Sequence, residues 1–515
     1  YRLRAHPSTR RHTSASFHGE PRYLSYQGYT TSSHGTHRAL PRHSLSVGSR
    51  GHYKDIVVVC SSGQPAVAAM FYGIIAAGGV FWLVVSRDKI EVGKEAAKLI
   101  GLSLVRVVVL NSEPKWEVRS LEGEKNMDVE NGARMTWRRV TDEEEMKRSL
   151  VVLLYSSGTT GVPKGVMLSH HNLLAQLYIP SIQARAHVAA AVTAGEPTPA
   201  LQDLRASPNS PYRWLFWLPN LPILFHRLCV LDAQVSWMPF LEYFKKLQIA
   251  GFYTVPSIFL QIAKSADVTD QFDSVEIAIT GAAPIGAELQ QAANRKLGKG
   301  KTRINGKQMN WLTFFQGAVT AMPRGSSDIT GSISPVLPNM EMRIVDDYDV
   351  TPGQPGEIIV RGPFVTNGYF DNEDATNAAF HDGWFCTGDI AVDRGGKFYI
   401  VDRKKELNKY KVLQIAPAEF GNHLIMHQQI LEAAVVGVLV EGGGEVPRAY
   451  VAPRNPGALS EDDVKVFVKS HLAEYKQLRG GVMFVDELPK NAVGKILRRG
   501  LRDRAREGDG IKAKL

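Results

Sequence analysis

Apolar runs separated by longer polar segments dominate the first half of the chain. Residues 57–59 and 150–154 are wholly apolar, and residues 105–110 are apolar except for one arginine. Such runs are typical of strands buried on both faces of a parallel sheet, and the segments between them fit connecting helices. A second set begins near Phe252 and Val275. The pattern predicts a large α/β body of mixed sheets flanked by helices.

The pattern changes from Met340 onward to short alternating strands separated by glycine turns. These strands are predicted at 342–345, 357–360 and 397–401. Beyond Lys405 the runs predict a smaller α+β unit with a strand at 433–439, a helix at 461–472 and a strand at 482–485. The proline-rich stretch 193–211 predicts the clearest surface loop.

Residues 66–85 are apolar or glycine throughout and are long enough to span a bilayer. Gly78 and Gly79 interrupt the run, and no basic residues anchor its flanks. We therefore predict a buried helix through Ala77 and a buried strand from Val80, with no membrane span.

Composition and charge indicate a globular protein and argue against some classes of function. The 515 residues are 44% hydrophobic and 22% charged, which is typical of a globular protein with more than one core. The formal charge of +10 is uneven, because residues 1–50 hold eight arginines and one acidic residue, Glu20. The remainder is only mildly basic, which argues against nucleic-acid binding. The three cysteines lack metal-ligand spacing and indicate a reducing compartment.

The segment 155–165 directly follows an apolar run and reads Tyr-Ser-Ser-Gly-Thr-Thr-Gly-Val-Pro-Lys-Gly. Its glycines let the backbone approach an anion, its hydroxyl groups donate hydrogen bonds, and Lys164 adds a positive charge. We predict a strand that leads into a nucleotide-phosphate loop. A polar strand-to-helix connection is the alternative, because the same residue types are common in loops.

This segment resembles the signature loop of the acyl-adenylate-forming, or AMP-binding, enzymes. They include acyl-CoA synthetases and 4-coumarate:CoA ligases, and the likeness is greatest to fungal members. The resemblance runs from about Asp55 to the C-terminus and implies an adenylate-forming body at 53–404 and a small mobile lid at 405–515, with a hinge near Lys405. Residues 1–52 fall outside it and are predicted to be a basic disordered extension or an artefact of the gene model.

The resemblance implies an ATP-dependent carboxylic acid:CoA ligase that forms an acyl-adenylate from an aryl or fatty acid. Its cofactors would be ATP or AMP, Mg²⁺ and coenzyme A. The loop residues implied in phosphate binding are Ser156, Ser157, Gly158, Thr159, Thr160, Gly161 and Lys164. Thr160 would also contact the metal ion.

Other motifs supply the remaining implied site residues. Asp389, in the segment 382–389, matches the aspartate that binds the ribose hydroxyls, since a carboxylate can accept from two hydroxyl donors. A turn aspartate that caps the next strand is the alternative. The basic run 401–411 would otherwise be a solvated face. In this run and just beyond it, the resemblance implies that Arg403 binds the ribose and that Lys405 is the hinge. It also implies that Lys409 and Gln414 contact the adenylate.

Near the C-terminus, Lys495 follows Gly494 as in the last motif of the family. It would hold the substrate carboxylate and the α-phosphate, because a fixed cation offsets the repulsion between two anions. Gly281, Ala282 and Ala283 match the small-residue turn along the acyl or aryl pocket. Thr313 keeps the register of the motif that contacts the nucleotide.

Departures from the family pattern leave two further functions open. Phe314 occupies the position of a glutamate that helps to hold Mg²⁺, and a phenyl ring cannot bind that ion. Val412 replaces a glycine beside the CoA channel, and the segment 218–237 is disturbed. The alternatives are a catalytically impaired protein that binds AMP or ATP, and an adenylating enzyme with an acceptor other than CoA.

The last three residues, Ala513-Lys514-Leu515, resemble the peroxisomal tripeptide Ser-Lys-Leu. They predict peroxisomal localisation through an import receptor, with a cytoplasmic location as the alternative.

Overall fold

A computed structural model describes residues 22–24, 54–61, 66–85, 90–111, 117–122, 138–156, 164–195, 203–206, 229–232, 237–249, 251–254, 256–275, 277–280, 286–298, 303–306, 319–321, 328–333, 335–346, 348–404, 408–410, 413–415, 417–439, 445–472, 476–490 and 496–507. Within these residues the strands form five sheets.

The strands of the N-terminal part are β1 (Arg22–Leu24), β2 (Asp55–Ser61), β3 (Gly79–Val85), β4 (Val107–Asn111), β5 (Glu117–Ser120), β6 (Leu150–Ser156), β7 (Lys164–Ser169), β8 (Asp203–Ala206), β9 (Cys229–Asp232), β10 (Gly251–Thr254), β11 (Ile277–Thr280) and β12 (Arg303–Gly306). Its helices are α1 (Ala66–Ala76), α2 (Ile90–Leu99), α3 (Glu143–Arg148), α4 (His170–Thr193), α5 (Trp237–Leu247), α6 (Pro256–Lys264) and α7 (Ala287–Asn294).

The strands of the C-terminal part are β13 (Glu341–Asp346), β14 (Tyr348–Asp349), β15 (Pro355–Arg361), β16 (Phe380–His381), β17 (Trp384–Arg394), β18 (Lys397–Arg403), β19 (Asn408–Tyr410), β20 (Leu413–Ile415), β21 (Ile430–Leu439), β22 (Glu445–Pro453) and β23 (Val482–Phe484). Its helices are α8 (Glu373–Asn377), α9 (Pro417–Leu424), α10 (Glu461–His471) and α11 (Arg498–Glu507).

The first sheet has the strand order β5-β4-β2-β3-β6-β7, with parallel inner strands and antiparallel edges. Every residue of β2 is buried, including Asp55 and Ser61 at the two ends of its apolar run, and α1 returns the chain to β3 as predicted. The strand predicted at 105–110 begins only at Val107, because Leu104–Arg106 form a turn of 3-10 helix capped by Ser103. The predicted buried α/β pattern is confirmed.

The second sheet has the order β1-β9-β8-β10-β11-β12, and β10, β11 and β12 are parallel. One expectation changes here. The predicted surface loop at 193–211 contains the strand β8. In the N-terminal arm, β1 pairs antiparallel with β9.

The third sheet is antiparallel, in the order β14-β13-β15-β17-β16, with β18 paired to β17. Its β13, β15 and β18 confirm the strands predicted from alternating residues. The first and third sheets share one hydrophobic core, in which Val152 and Val166 pack with Ile358, Phe364 and Phe385. These two sheets therefore form a single support for the residues at their edges.

The C-terminal unit has its own core and its own sheet, β21-β22-β23. Phe420 of α9, Val435 of β21 and Val464 of α10 are fully buried in that core. The strands and helix predicted for this unit are confirmed. No helix among the described residues is both long and apolar enough to cross a membrane.

Candidate active site

The phosphate loop is anchored by a β-hairpin. Strands β6 and β7 pair antiparallel, and Ser156 lies opposite Lys164 at the open end of the ladder. The intervening residues 157–163 lie outside the described residues. Because the loop returns into a strand, the alternative of a strand-to-helix connection is wrong.

The outer edge of β7 fixes the position of Lys164. The amide of Met167 donates to the carbonyl of Gly368 (3.0 Å), and that of Phe370 donates to the carbonyl of Gly165 (2.7 Å). Tyr369 is thereby placed with its ring centroid 5.0 Å from Nζ of Lys164. Burial raises the pKa of Tyr369 to about 12, so the ring stays neutral beside the cation.

The base of the hairpin is closely packed at Gly165. A Cβ at this position would lie 3.1 Å from Cζ of Tyr155. The Tyr155 ring in turn stacks on Trp82 at a centroid distance of 4.4 Å. Since Tyr155 cannot retreat easily, residue 165 has to be small for the loop to close in this register.

Asp389 and Arg403 lie opposite each other on β17 and β18. Nε of Arg403 is 3.2 Å from Oδ1 of Asp389, and the two side chains are 14% and 1% exposed. The amide of Asp389 donates to Oγ1 of Thr387 (3.0 Å), which itself donates to the carbonyl of Ile358 (2.7 Å). The structure thus brings together the two residues predicted to bind ribose.

The position of Asp389 inside a long strand decides between its two interpretations. β17 continues to Arg394, so Asp389 is not a turn residue that caps a following strand. Gly388 before it has a φ of +72°, and the pairing of β17 with β18 shifts register just after Ile390. A buried carboxylate next to a guanidinium offers acceptors and donors in one place, which suits a vicinal diol.

The chain just before the predicted hinge is held by a glutamate that the sequence did not single out. Oε1 of Glu357 accepts from the amide of Gly388 (2.9 Å), and Oε2 accepts from Nζ of Lys404 (2.8 Å). This hydrogen bond raises the pKa of Lys404. The amide of Lys404 also donates to the carbonyl of Gly388 (2.8 Å), which ties β18 to the residue before Asp389.

Lys409 and Gln414, both assigned to the adenylate, are direct partners in the short hairpin of β19 and β20. Their spacing in sequence therefore corresponds to one position on a ladder. Lys490 pairs with Ile496 in an isolated bridge, so the segment that contains Lys495 is closed at its base. Gly281 directly follows the carboxyl end of β11, a parallel strand and thus a usual position for a ligand site.

Several predicted site residues lie outside the described residues, and their assignments stay predictions. They are Ser157, Gly158, Thr159, Thr160, Gly161, Gly281, Ala282, Ala283, Thr313, Lys405 and Lys495. Phe314 and Val412 lie there too. In the part of the chain that the structure describes, no group of three or more His, Cys, Asp or Glu side chains could hold a metal ion.

Comparison with protein families gives two matches. The AMP-binding enzyme family matches residues 4–370, and the AMP-binding enzyme C-terminal domain matches residues 419–495. The first match begins inside the N-terminal arm and includes β1.

Individual relatives extend over most of the chain. A putative acyl-coenzyme A synthetase of Emericella nidulans is 40% identical over 92% of this chain and 89% of its own length. 4-Coumarate–CoA ligase 2 of Petroselinum crispum is 33% identical over 81% of this chain and 78% of its own length.

Solved structures show the same fold. O-succinylbenzoate CoA synthetase from Bacillus subtilis, solved with its acyl-adenylate intermediate, has a TM-score of 0.73 at 21% identity, covering 95% of this chain and 94% of that one. The phosphate-loop hairpin, the Asp389–Arg403 pair and both family matches lead to one conclusion. The chain belongs to the AMP-binding enzyme family.

Proposed function

We propose that the chain is an ATP-dependent carboxylic acid:CoA ligase that acts through an acyl-adenylate intermediate. The observation that carries this proposal is the buried Asp389–Arg403 pair, which lies next to the start of the lid (residues 405–515). A ribose held there would keep the adenylate in place while the lid changes its position between two half-reactions. Relatives named as acyl-CoA synthetase and 4-coumarate–CoA ligase support the same chemistry.

The reaction proceeds in two steps. In the first, a carboxylate oxygen attacks the α-phosphorus of ATP, the bond to the β-phosphate oxygen breaks, and pyrophosphate leaves. In the second, the CoA thiol loses its proton and attacks the acyl carbon, and AMP leaves as the thioester forms. Thr159, Thr160 and Lys164 hold phosphates, Asp389 and Arg403 hold the ribose, and Lys495 offsets the charge that develops in the first step.

Lys409 and Gln414 contact the adenylate from the hairpin that opens the lid, and Lys405 is the hinge. The pairing of Lys409 with Gln414 supports their joint role, because one ladder position presents both residues together. Gly281, Ala282 and Ala283 leave room for the acyl or aryl group beside the end of β11.

A test measures pyrophosphate, AMP and acyl-CoA with a panel of cinnamates, benzoates and fatty acids. An active ligase yields the three products in equal amounts with at least one acid of the panel. An impaired AMP-binding homologue binds nucleotide without releasing pyrophosphate. The active enzyme is favoured, because relatives that match most of the chain are named as acyl-CoA synthetases. An enzyme with another acceptor releases pyrophosphate but forms no thioester.

Mg²⁺ would accompany ATP in this proposal, and Thr160 would be the residue that holds it; the ion would neutralise charge on the phosphates. The described residues supply no ligand set of their own, and none of the steps above is assigned to the metal. Removal of Mg²⁺ with a chelator should abolish pyrophosphate release and leave AMP binding intact.

The peroxisomal location is proposed from Ala513-Lys514-Leu515 alone. A fluorescent fusion that retains these residues at the free C-terminus should enter peroxisomes, and deletion of the three residues should leave it in the cytoplasm. Cytoplasmic fluorescence from both fusions would contradict the proposal.

A further inference from the structure

One lysine of the N-terminal body (residues 53–404) reaches across to the lid. Lys264 is the last residue of α6, and its Nζ donates to the carbonyl oxygens of His427 (2.9 Å) and Ile430 (2.8 Å). Lys264 falls in the match to the AMP-binding family, and both acceptors fall in the match to its C-terminal domain. The two hydrogen bonds therefore join two units with separate cores.

Apolar side chains lie beside these two hydrogen bonds. Ile425 and Met426, just beyond α9, pack against a core cluster of the body that is built around Phe240, Phe244 and Phe259. At its edge, Nδ1 of His423 is 3.7 Å from Oε2 of Glu288. The end of α9 therefore rests on α6 and α7.

The hydrogen bonds of Lys264 fix the orientation of the lid in this contact. The side chain is half-buried, and burial, with the charge of Arg454 nearby, lowers its pKa to about 8. A lysine withdrawn from water needs hydrogen-bond acceptors, and the carbonyls of His427, in the turn beyond α9, and of Ile430, at the start of β21, supply them. The two acceptors move with the lid, so they face Lys264 only when the lid lies as it does here. Apolar packing alone tolerates sliding, whereas two hydrogen bonds from one ammonium do not.

We propose that Lys264 is a positioning residue that holds the lid in this orientation and so sets the balance between the two half-reactions. This inference rests on the proposed ligase function, because only a two-step reaction with a lid that changes position has such a balance. Loss of the ammonium should disfavour the half-reaction that uses this orientation. It should spare the half-reaction that uses the other orientation.

The test compares single-turnover rates of the two half-reactions in Lys264→Met and Lys264→Arg. Adenylation is followed by pyrophosphate release without CoA, and thioester formation is started from a synthetic acyl-adenylate mixed with CoA. We expect Lys264→Met to change the ratio of the two rates by about 10-fold to 100-fold, because the variant loses two hydrogen bonds from a charged group. Lys264→Arg should recover part of the change.

Lys296 offers a matched control. Its Nζ donates to the carbonyl of Ser265 (2.7 Å), one residue beyond Lys264, but donor and acceptor both belong to the body. Lys296→Met should lower stability without changing the ratio of the half-reactions. If Lys264→Met slows both half-reactions by the same factor, or neither, Lys264 does not position the lid.

Hydrogen–deuterium exchange separates this inference from the proposed function. In the full-length protein, amides of residues 417–430 should exchange faster in Lys264→Met than in the parent or in Lys296→Met. Unchanged exchange there would overturn the inference whether or not the protein is an active ligase. If the parent catalysed neither half-reaction but Lys264→Met still exchanged faster, the proposed ligase function would be overturned. The contact between Lys264 and the lid would still be supported.

Discussion

The pair proposed to bind ribose and the contact of Lys264 with the lid are built in opposite ways. Asp389 and Arg403 are adjacent on two long, paired strands whose sheet shares a core with the sheet of the phosphate loop. Lys264 meets the lid through two hydrogen bonds, beside apolar side chains of two units with separate cores. The first arrangement cannot change without unfolding a sheet, whereas the second can separate.

This difference fits the chemistry. In the proposed reaction the nucleotide has to stay in one place through both half-reactions, and a ribose bound by Asp389 and Arg403 would lie on paired strands that hold it there. Lys495, which is proposed to act in the first step, belongs to the lid.

The largest effect is expected from Asp389→Asn. The amide keeps the shape of the carboxylate but loses its charge, so hydrogen bonds from two hydroxyls weaken and Arg403 loses its partner. We expect both half-reactions to slow by about 100-fold or more, as for loss of two hydrogen bonds to a charged group. Single-turnover kinetics of each half-reaction measures this.

Asp393→Asn is the matched control for that variant. Asp393 lies on the same strand but accepts from the amide of Gly396 in the hairpin turn. It should leave both rates near those of the parent. A loss of activity similar to that of Asp389→Asn would mean that β17 tolerates no such change and that the effect is structural.

A somewhat smaller effect is expected from Lys164→Ala. Removal of the cation at the end of the loop should raise the KM for ATP and slow adenylation by about 10-fold to 100-fold, with thioester formation from added acyl-adenylate much less affected. Steady-state and single-turnover kinetics distinguish the two. Tyr369→Phe is the control, because it keeps the ring beside Lys164 and should retain activity. If Lys164→Ala slowed both half-reactions equally, a role of Lys164 in phosphate binding alone would be contradicted.

The sequence predicted individual elements better than it predicted their contacts. Residues 57–59 and the helix at 461–472 carry strong patterns, and the structure confirms both within a few residues. β22 was missed because Pro447 and Arg448 interrupt its apolar run; Arg448 is buried and donates to the carbonyl of Gly480 (2.7 Å). Such a partner lies far away in sequence and leaves no periodic signal.

The same limit applies to the site. Asp389 and Lys164 stand in motifs and could be named from the sequence. Glu357 could not, because it acts through Gly388 and Lys404, which only the pairing of strands brings near. Lys264 ends an ordinary amphipathic helix, and its acceptors are backbone carbonyls, which every residue possesses.

A stability effect is expected at Asp328, which links α7, near the lid contact, to β18, which carries Arg403. Its carbonyl accepts from Gln290 (2.7 Å), and its carboxylate binds Lys397 (2.8 Å). Burial alone would raise the pKa of Asp328, but hydrogen bonds from Lys397, Thr330 and Ser332 outweigh it and lower the pKa from 3.8 to about 2.

A carboxyl group whose pKa is lower in the folded state stabilises that state at pH values above its ordinary pKa. This contribution is lost as the pH falls to the pKa of the folded state. Asp328→Asn should therefore lower the free energy of unfolding by about 2 kcal/mol at neutral pH, and the difference should fade as the pH falls from about 4 to about 2. Urea denaturation at several pH values tests this. Asp270→Asn, which breaks an exposed pair with Lys245, should change stability much less, because solvent screens that pair. If the loss of stability in Asp328→Asn did not depend on pH, the lowered pKa of Asp328 would be contradicted.

The smallest effect is expected from Gly165→Ala. The added methyl group would press on the Tyr155 ring, which stacks on Trp82, and should cost about 1–2 kcal/mol of stability with some loss of ATP affinity. Gly500→Ala is the control, because that helical glycine has open space around its Cβ position and should become slightly more stable. Thermal unfolding compares the two; equal shifts would show that the base of the hairpin is not tightly packed.

The most direct test of the ribose site combines a change in the protein with a change in the ligand. Adenylation rates are measured with ATP, 2′-deoxy-ATP and 3′-deoxy-ATP, in the parent and in Asp389→Asn. If Asp389 binds the ribose hydroxyls, the parent should discriminate strongly against at least one deoxynucleotide, and the variant should lose most of that discrimination. Equal discrimination in the two proteins would show that the ribose is bound elsewhere and would contradict the account.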